Sequence, residues 1–163
     1  MVKFPLPIDN SPELAAALGR LMAHWADLES WLTHLLQVLL NVDNMKARFI
    51  YQEFNSTRGK IALLQRINYF FTLDEKLKGD IDELLRKVNK LNETRNKFVH
   101  ARWVGDVPQH IMRLETSLPG YKQYKKPMKK FTPQDVQKVV EDISELSQSL
   151  QNLIFPLLEV PPV

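Results

Sequence analysis

The feature that most constrains this chain is a run of apolar residues spaced three or four apart near its start: Leu14, Leu18, Leu21, Trp25, Leu28, Leu32, Leu35 and Leu39. That spacing follows the turn of an α-helix and not the two-residue alternation of a strand. It predicts one amphipathic helix of roughly 30 residues, about 45 Å long. Ser11 is placed to cap it, Pro12 fits its first position, and Glu13 suits the positive end of its dipole. The pattern ends near Asn41. An apolar stripe of that length needs other elements to cover it.

Further patterns with the same period supply them. Asp43 reads as the cap of a second helix whose apolar residues are Phe49, Ile50 and Phe54. After Asn55 and Ser56, a third helix carries Ile61, Leu64, Ile67 and Phe71. Gly79 and Asp80 read as the opening of a fourth, with Ile81, Leu84, Leu85, Val88, Leu91 and Phe98 on one side. The last begins at Thr132-Pro133-Gln134-Asp135, which combines a cap, a first-turn proline and an acidic residue at the capping-box position. Its apolar face runs from Val136 to Ile154 and stops at Pro156. Between the fourth and last helices, residues 104–131 lose the helical spacing. Val104-Gly105-Asp106-Val107-Pro108 breaks the helix, and Pro119-Gly120 signals a turn. The segment reads as a loop or β-hairpin insertion. The first ten residues, with Pro5 and Pro7, read as an extended lead-in, and the final LLEVPPV as a frayed or irregularly docked tail. The expected fold is an all-α, antiparallel four- to five-helix bundle in a single domain spanning 1–163.

Composition narrows the chemistry. With 44% apolar and 25% charged residues, the chain is too hydrophobic for general disorder. The absence of cysteine excludes a disulfide framework, a thiol nucleophile and thiolate metal sites. No apolar run is long enough for a transmembrane helix, and MVKFPLPIDNSPEL lacks the apolar core of a signal peptide. A cytoplasmic protein without membrane contact is expected. Twenty-two Lys and Arg against nineteen Asp and Glu give a net charge of +3, which permits an anionic partner without requiring one. No Gly-rich phosphate loop, GxSxG or HExxH occurs.

What stands out is the end of the fourth helix, from Asn92 to Trp103. At about 100° per residue, Asn92, Arg95, Asn96 and His100 share an arc of roughly 140° beside the apolar face. Asn96 and His100 are four apart and therefore neighbours, with Arg95 on the flank. A histidine there can move a proton near neutrality, and an arginine can hold a phosphate. Such a trio suits RNA cleavage without a metal or other cofactor. His100 would exchange protons with the ribose 2′-hydroxyl or the leaving oxygen, Arg95 would offset charge at phosphorus, and Asn96 would orient the phosphate or the imidazole. One trio lacks a second acid–base group; a two-fold dimer joined through the fourth-helix face would supply it. The same residues also suit a plain helix end, where positive side chains meet the negative pole of the dipole.

The string ETRNKFVHARW, late in a long helix of an all-α chain, resembles the R-N-x-x-x-H form of the HEPN-domain motif. The first helix is similar too, at Ala26-Asp27-Leu28-Glu29-Ser30-Trp31-Leu32, where many members carry an apolar-Glu-apolar segment. The similarity runs from about Ser11 to Trp103. It implies a homodimer, and in many members a metal-independent endoribonuclease of a toxin–antitoxin, abortive-infection or other defence system. Arg95 and His100 would then be catalytic with Asn96 assisting, and the partners would be RNA and an antitoxin or neighbouring defence protein. Other members have lost activity and serve as dimerisation and nucleic-acid- or nucleotide-binding modules. In members paired with a nucleotidyltransferase antitoxin, a modified Tyr follows the His by two residues; here that position is Arg102.

Several further residues are candidates. Tyr121 to Phe131 holds five lysines interleaved with aromatics, so Lys125 and Lys126 suit RNA phosphates, as do Lys97 and Arg102. The alternative for that segment is a solvated hairpin. Trp103 can stack on a base or close the helix end, and Glu29 can hold Arg95 or be an ordinary surface carboxylate. Trp25 and Trp31 read as core or dimer contacts. Asp27 and His34 share a helix face, but two ligands without a third make a weak metal site; no metal is expected.

Overall fold

The structure, a computed structural model, describes residue 8 and residues 11–100, 102–104, 111–114 and 129–158, with backbone alone for 102–104, 111–114, 129 and 130. Among them are five helices: α1 (Pro12–Leu40), α2 (Asn44–Gln52), α3 (Thr57–Phe71), α4 (Glu75–Val99) and α5 (Pro133–Leu158). They form an all-α helical bundle. Three short strands lie between the last two helices: β1 (Arg102–Val104), β2 (Ile111–Leu114) and β3 (Lys129–Phe131). They pair antiparallel in the order β1-β2-β3, with Trp103 opposite Arg113 and Ile111 opposite Phe131. The Pro119-Gly120 turn, the lead-in apart from Ile8, and the last five residues lie outside the described residues.

The helix ends follow local chemistry. Asn41 takes a left-handed backbone (φ 50°), the usual way for a chain to leave a helix, and stops α1. The Asp43 side chain accepts from the Lys46 N–H at 2.9 Å, and the Ser56 hydroxyl accepts from the Gly59 N–H at 3.1 Å. Thr132 and Asp135 bond reciprocally: the Thr132 N–H donates to the Asp135 carboxylate at 2.7 Å, and the Asp135 N–H donates to the Thr132 hydroxyl at 3.2 Å. An Asp therefore completes the capping box that more often uses Glu.

Four expectations are corrected. α4 does not open at Gly79-Asp80 but four residues earlier, where the Asp74 carboxylate accepts from the Leu77 N–H at 2.7 Å and caps the helix. In α2 the buried residues are Ala47 and Tyr51, while Phe49 and Phe54 are exposed. At the end of α3, Phe71 is also exposed. α5 runs through Pro156 to Leu158; so near the helix end, a proline removes a single backbone bond.

The chain forms two compact units. One comprises residues 1–23 and 94–141, and its core holds Leu14, Ala17, Leu21, Phe98, Val136, Val139 and Val140. Phe98 meets Phe131 edge-on, with centroids 5.1 Å apart. The other comprises residues 24–93 and 142–163. Its core is built from Trp25, Leu28, Leu32, Leu35 and Leu36 of α1, Ile61 and Leu64 of α3, Ile81, Leu85 and Val88 of α4, and Ile143, Leu150 and Ile154 of α5. Trp31 rests against His34 and against Phe155, each at 5.3 Å.

In this second unit, the fully buried Asn68 ties the end of α3 to the start of α4. Its side-chain NH₂ donates to the Lys78 carbonyl and to the Asp82 carboxylate, both at 3.0 Å. Asn68→Ala removes both bonds and leaves a space at a fully buried position, and is expected to lower stability by about 1–3 kcal/mol in a urea titration. Leu85→Ala, which empties a fully buried position, is expected to cost about 2–5 kcal/mol. Gly79 lies inside α4 with nothing within 4 Å of where a Cβ would sit. Gly79→Ala is therefore expected to stabilise by about 0.4–1 kcal/mol, the opposite sign in the same titration.

Candidate active site

The residues singled out by sequence lie at the C-terminal end of α4, in the first unit. Arg95 is half-buried. Its guanidinium donates through Nη1 to the Asn96 side-chain oxygen at 3.0 Å and through Nη2 to the Met22 sulfur at 3.5 Å. Neighbours in sequence do not face each other on a helix; the long arginine stem lets the fork fold back onto the Asn96 amide. Asn96 is thus an orienting acceptor for Arg95, and its NH₂ has no partner among the described residues.

His100 is the first residue beyond α4 as bounded, but its N–H still donates to the Asn96 carbonyl at 3.1 Å. The helical phase therefore persists, and His100 stays one turn beyond Asn96 on the same face. Its imidazole is exposed and has no partner among the described residues. The structure thus brings Arg95 and Asn96 into direct contact and aligns His100 with them. Phe98, on the buried side, anchors this end of the helix through Phe131. Asn92, a turn earlier, belongs to the other unit and is buried, so the polar strip read from the sequence is submerged at one end and exposed at the other.

The remaining candidates are distributed differently. Lys97 is exposed on α4. Arg102 and Trp103 form β1, which is described as backbone only, and Lys125 and Lys126 lie outside the described residues. Glu29 is in the second unit, where its carboxylate accepts from the Thr57 hydroxyl at 3.4 Å and pairs with Lys60 at 3.5 Å. His34 Nδ1 lies 3.2 Å from both the Gln37 side-chain oxygen and the Asn44 amide nitrogen. Among the described residues, no three His, Asp or Glu side chains gather as a metal site would need.

The sequence reading missed a second feature. A polar cleft of about 490 Å³ opens in the second unit, lined by Glu29, His34, Asn44, Arg48, Tyr51 and Lys60 among others. The available signal was the four-residue spacing of Ala47 and Tyr51, which turns the tyrosine inward; phenylalanines drew attention to the opposite face of α2. No family model, curated protein or solved structure matches the chain.

Proposed function

We propose that the chain is a HEPN-like endoribonuclease that acts as a cytoplasmic homodimer without a metal ion, with Arg95, Asn96 and His100 at its site. The observation that carries this reading is the arrangement at the end of α4. A guanidinium is held by the neighbouring amide oxygen, and an exposed imidazole follows one turn later. The pairing fixes the arginine fork before substrate arrives, so less of its freedom is lost on binding a phosphate. The motif RNKFVH, with its resemblance to the HEPN pattern, supports the same reading.

The chemistry is transesterification. His100 takes the proton of a ribose 2′-hydroxyl, and the 2′-oxygen bonds to the adjacent phosphorus. The bond from phosphorus to the 5′-oxygen breaks, and the second subunit's His100 protonates that oxygen as it leaves. The products are a 2′,3′-cyclic phosphate and a 5′-hydroxyl. Arg95 offsets the charge that builds on the equatorial phosphate oxygens, and the Asn96 NH₂ donates to one of them. No helix among the described residues is long and apolar enough to cross a membrane. An antitoxin or a neighbouring defence protein is the partner that this reading calls for.

The test uses purified wild type, His100→Ala and Arg95→Ala with mixed structured RNAs in excess EDTA, with product ends assayed for the cyclic phosphate. Loss of His100 is expected to slow cleavage by about 10²–10⁴-fold, and loss of Arg95 by about 10²–10³-fold. Both residues are accessible enough for the variants to stay folded, which circular dichroism checks. Cleavage unchanged in His100→Ala would remove that residue from the reaction. No cleavage by a folded, dimeric wild type would leave a dimerising nucleic-acid-binding module in its place.

A further inference from the structure

The polar cleft of the second unit holds a buried donor without an acceptor and a cation without a counter-charge. Tyr51 is 4% exposed and lines the cleft, yet its hydroxyl is buried with no hydrogen-bond partner. A buried hydroxyl left in that state is costly, and folded proteins almost always pair it. Burial above all, and then the charge of Glu29, push the phenol above its ordinary range, so at neutral pH it keeps its proton and remains a donor. The Lys60 ammonium sits 4.5 Å from the centre of the Tyr51 ring and pairs with Glu29 at 3.5 Å. That pair leaves Arg48, which also lines the cleft and has no partner among the described residues, as an uncompensated cation.

The buried phenol lacks an acceptor and the exposed guanidinium lacks a counter-charge, and one ligand can supply both. An acceptor-only oxyanion satisfies both, because a carboxylate or phosphate offers several lone pairs and no competing donor. A cation would meet Arg48 and Lys60, and its one available carboxylate, Glu29, is already engaged. A neutral apolar molecule would leave both donors unsatisfied. The volume, about 490 Å³, falls within the range that holds small organic molecules. Asn44 and His34 on the same lining can then bond to the body of the molecule.

We propose that this cleft is a binding site for a small organic anion, with Arg48 and Tyr51 holding its oxyanion head. It lies in the unit that does not contain Arg95 and His100, and it stands or falls independently of the ribonuclease reading.

The test titrates the intact protein with phenyl phosphate and, separately, with benzoate, reading the backbone amide shifts of α2 and the start of α3. Benzyl alcohol serves as the uncharged control. At least one anion is expected to bind with a millimolar or tighter Kd while the alcohol does not, and which of the two binds identifies the head group. Arg48→Gln and Tyr51→Phe are each expected to weaken binding by about tenfold. Arg48 is exposed and the Tyr51 change keeps the ring, so both variants fold. Tyr51→Phe, which removes an unpaired buried hydroxyl, is expected to leave the Tm of the free protein unchanged or raise it. Binding lost without loss of Tm therefore separates a ligand contact from a structural role. Failure of both anions to bind at 10 times the expected concentration, about 10 mM, or binding that both variants retain in full, would overturn the proposal.

Discussion

The apolar stripe of α1 is the constraint on which everything else rests. Leu14, Ala17 and Leu21 are buried in the first unit, and Trp25, Leu28, Leu32, Leu35 and Leu36 in the second, along one unbroken helix. At about 0.8 kcal/mol per buried CH₂, this stripe is a leading favourable term against the entropy of ordering the chain. Each unit completes its core with apolar residues of α4 and α5. The positions of functional groups on those helices follow from how the helices turn their apolar faces inward.

That dependence explains how the end of α4 presents its polar groups. Val88 and Phe98 are buried, ten residues apart on a 3.6-residue period, and they fix the rotation of the helix. With that rotation set, Arg95 falls between them, about 20° from Val88, and is half-buried; Asn96 falls at the margin of the buried face, and His100 falls outside it. From there the long arginine stem carries the guanidinium outward, where Asn96 and Met22 hold it.

Much of this was legible in the sequence because it is local. The extent of α1, the caps at Asp43 and Thr132, and the alignment of Arg95, Asn96 and His100 all depend on residues within a turn or two of each other. Misreadings arose where a local signal was weak or outweighed. α2 has nine residues, and its inward face is marked only by a small alanine and a tyrosine with a polar tip, so the larger phenylalanines misled. Gly79 and Asp80 read as the helix opening, yet a glycine's cost of about 1 kcal/mol inside a helix is offset once Ile81 and Leu85 are buried and Asp74 caps the first turn. The division into two units and the cleft depend on tertiary packing, which periodicity does not encode.

The two proposed sites place opposite demands on the fold. At the end of α4 the imidazole is exposed, and one copy of the chain offers one acid–base group, so the chemistry proposed there requires a second copy to close around the substrate. In the cleft the key hydroxyl is already out of water, and the charged groups come from α1, α2 and α3 of one copy, so a small anion would complete an existing set without a second copy. Desolvation makes the difference. A hydrogen bond to a buried donor replaces nothing with something, whereas one to an exposed donor exchanges water for ligand. Tyr51 is therefore worth more to a bound anion than any exposed side chain on the lining, although Arg48 carries the charge. An exposed charge steers the anion in, and the buried hydroxyl discriminates between molecules that can accept its proton and those that cannot.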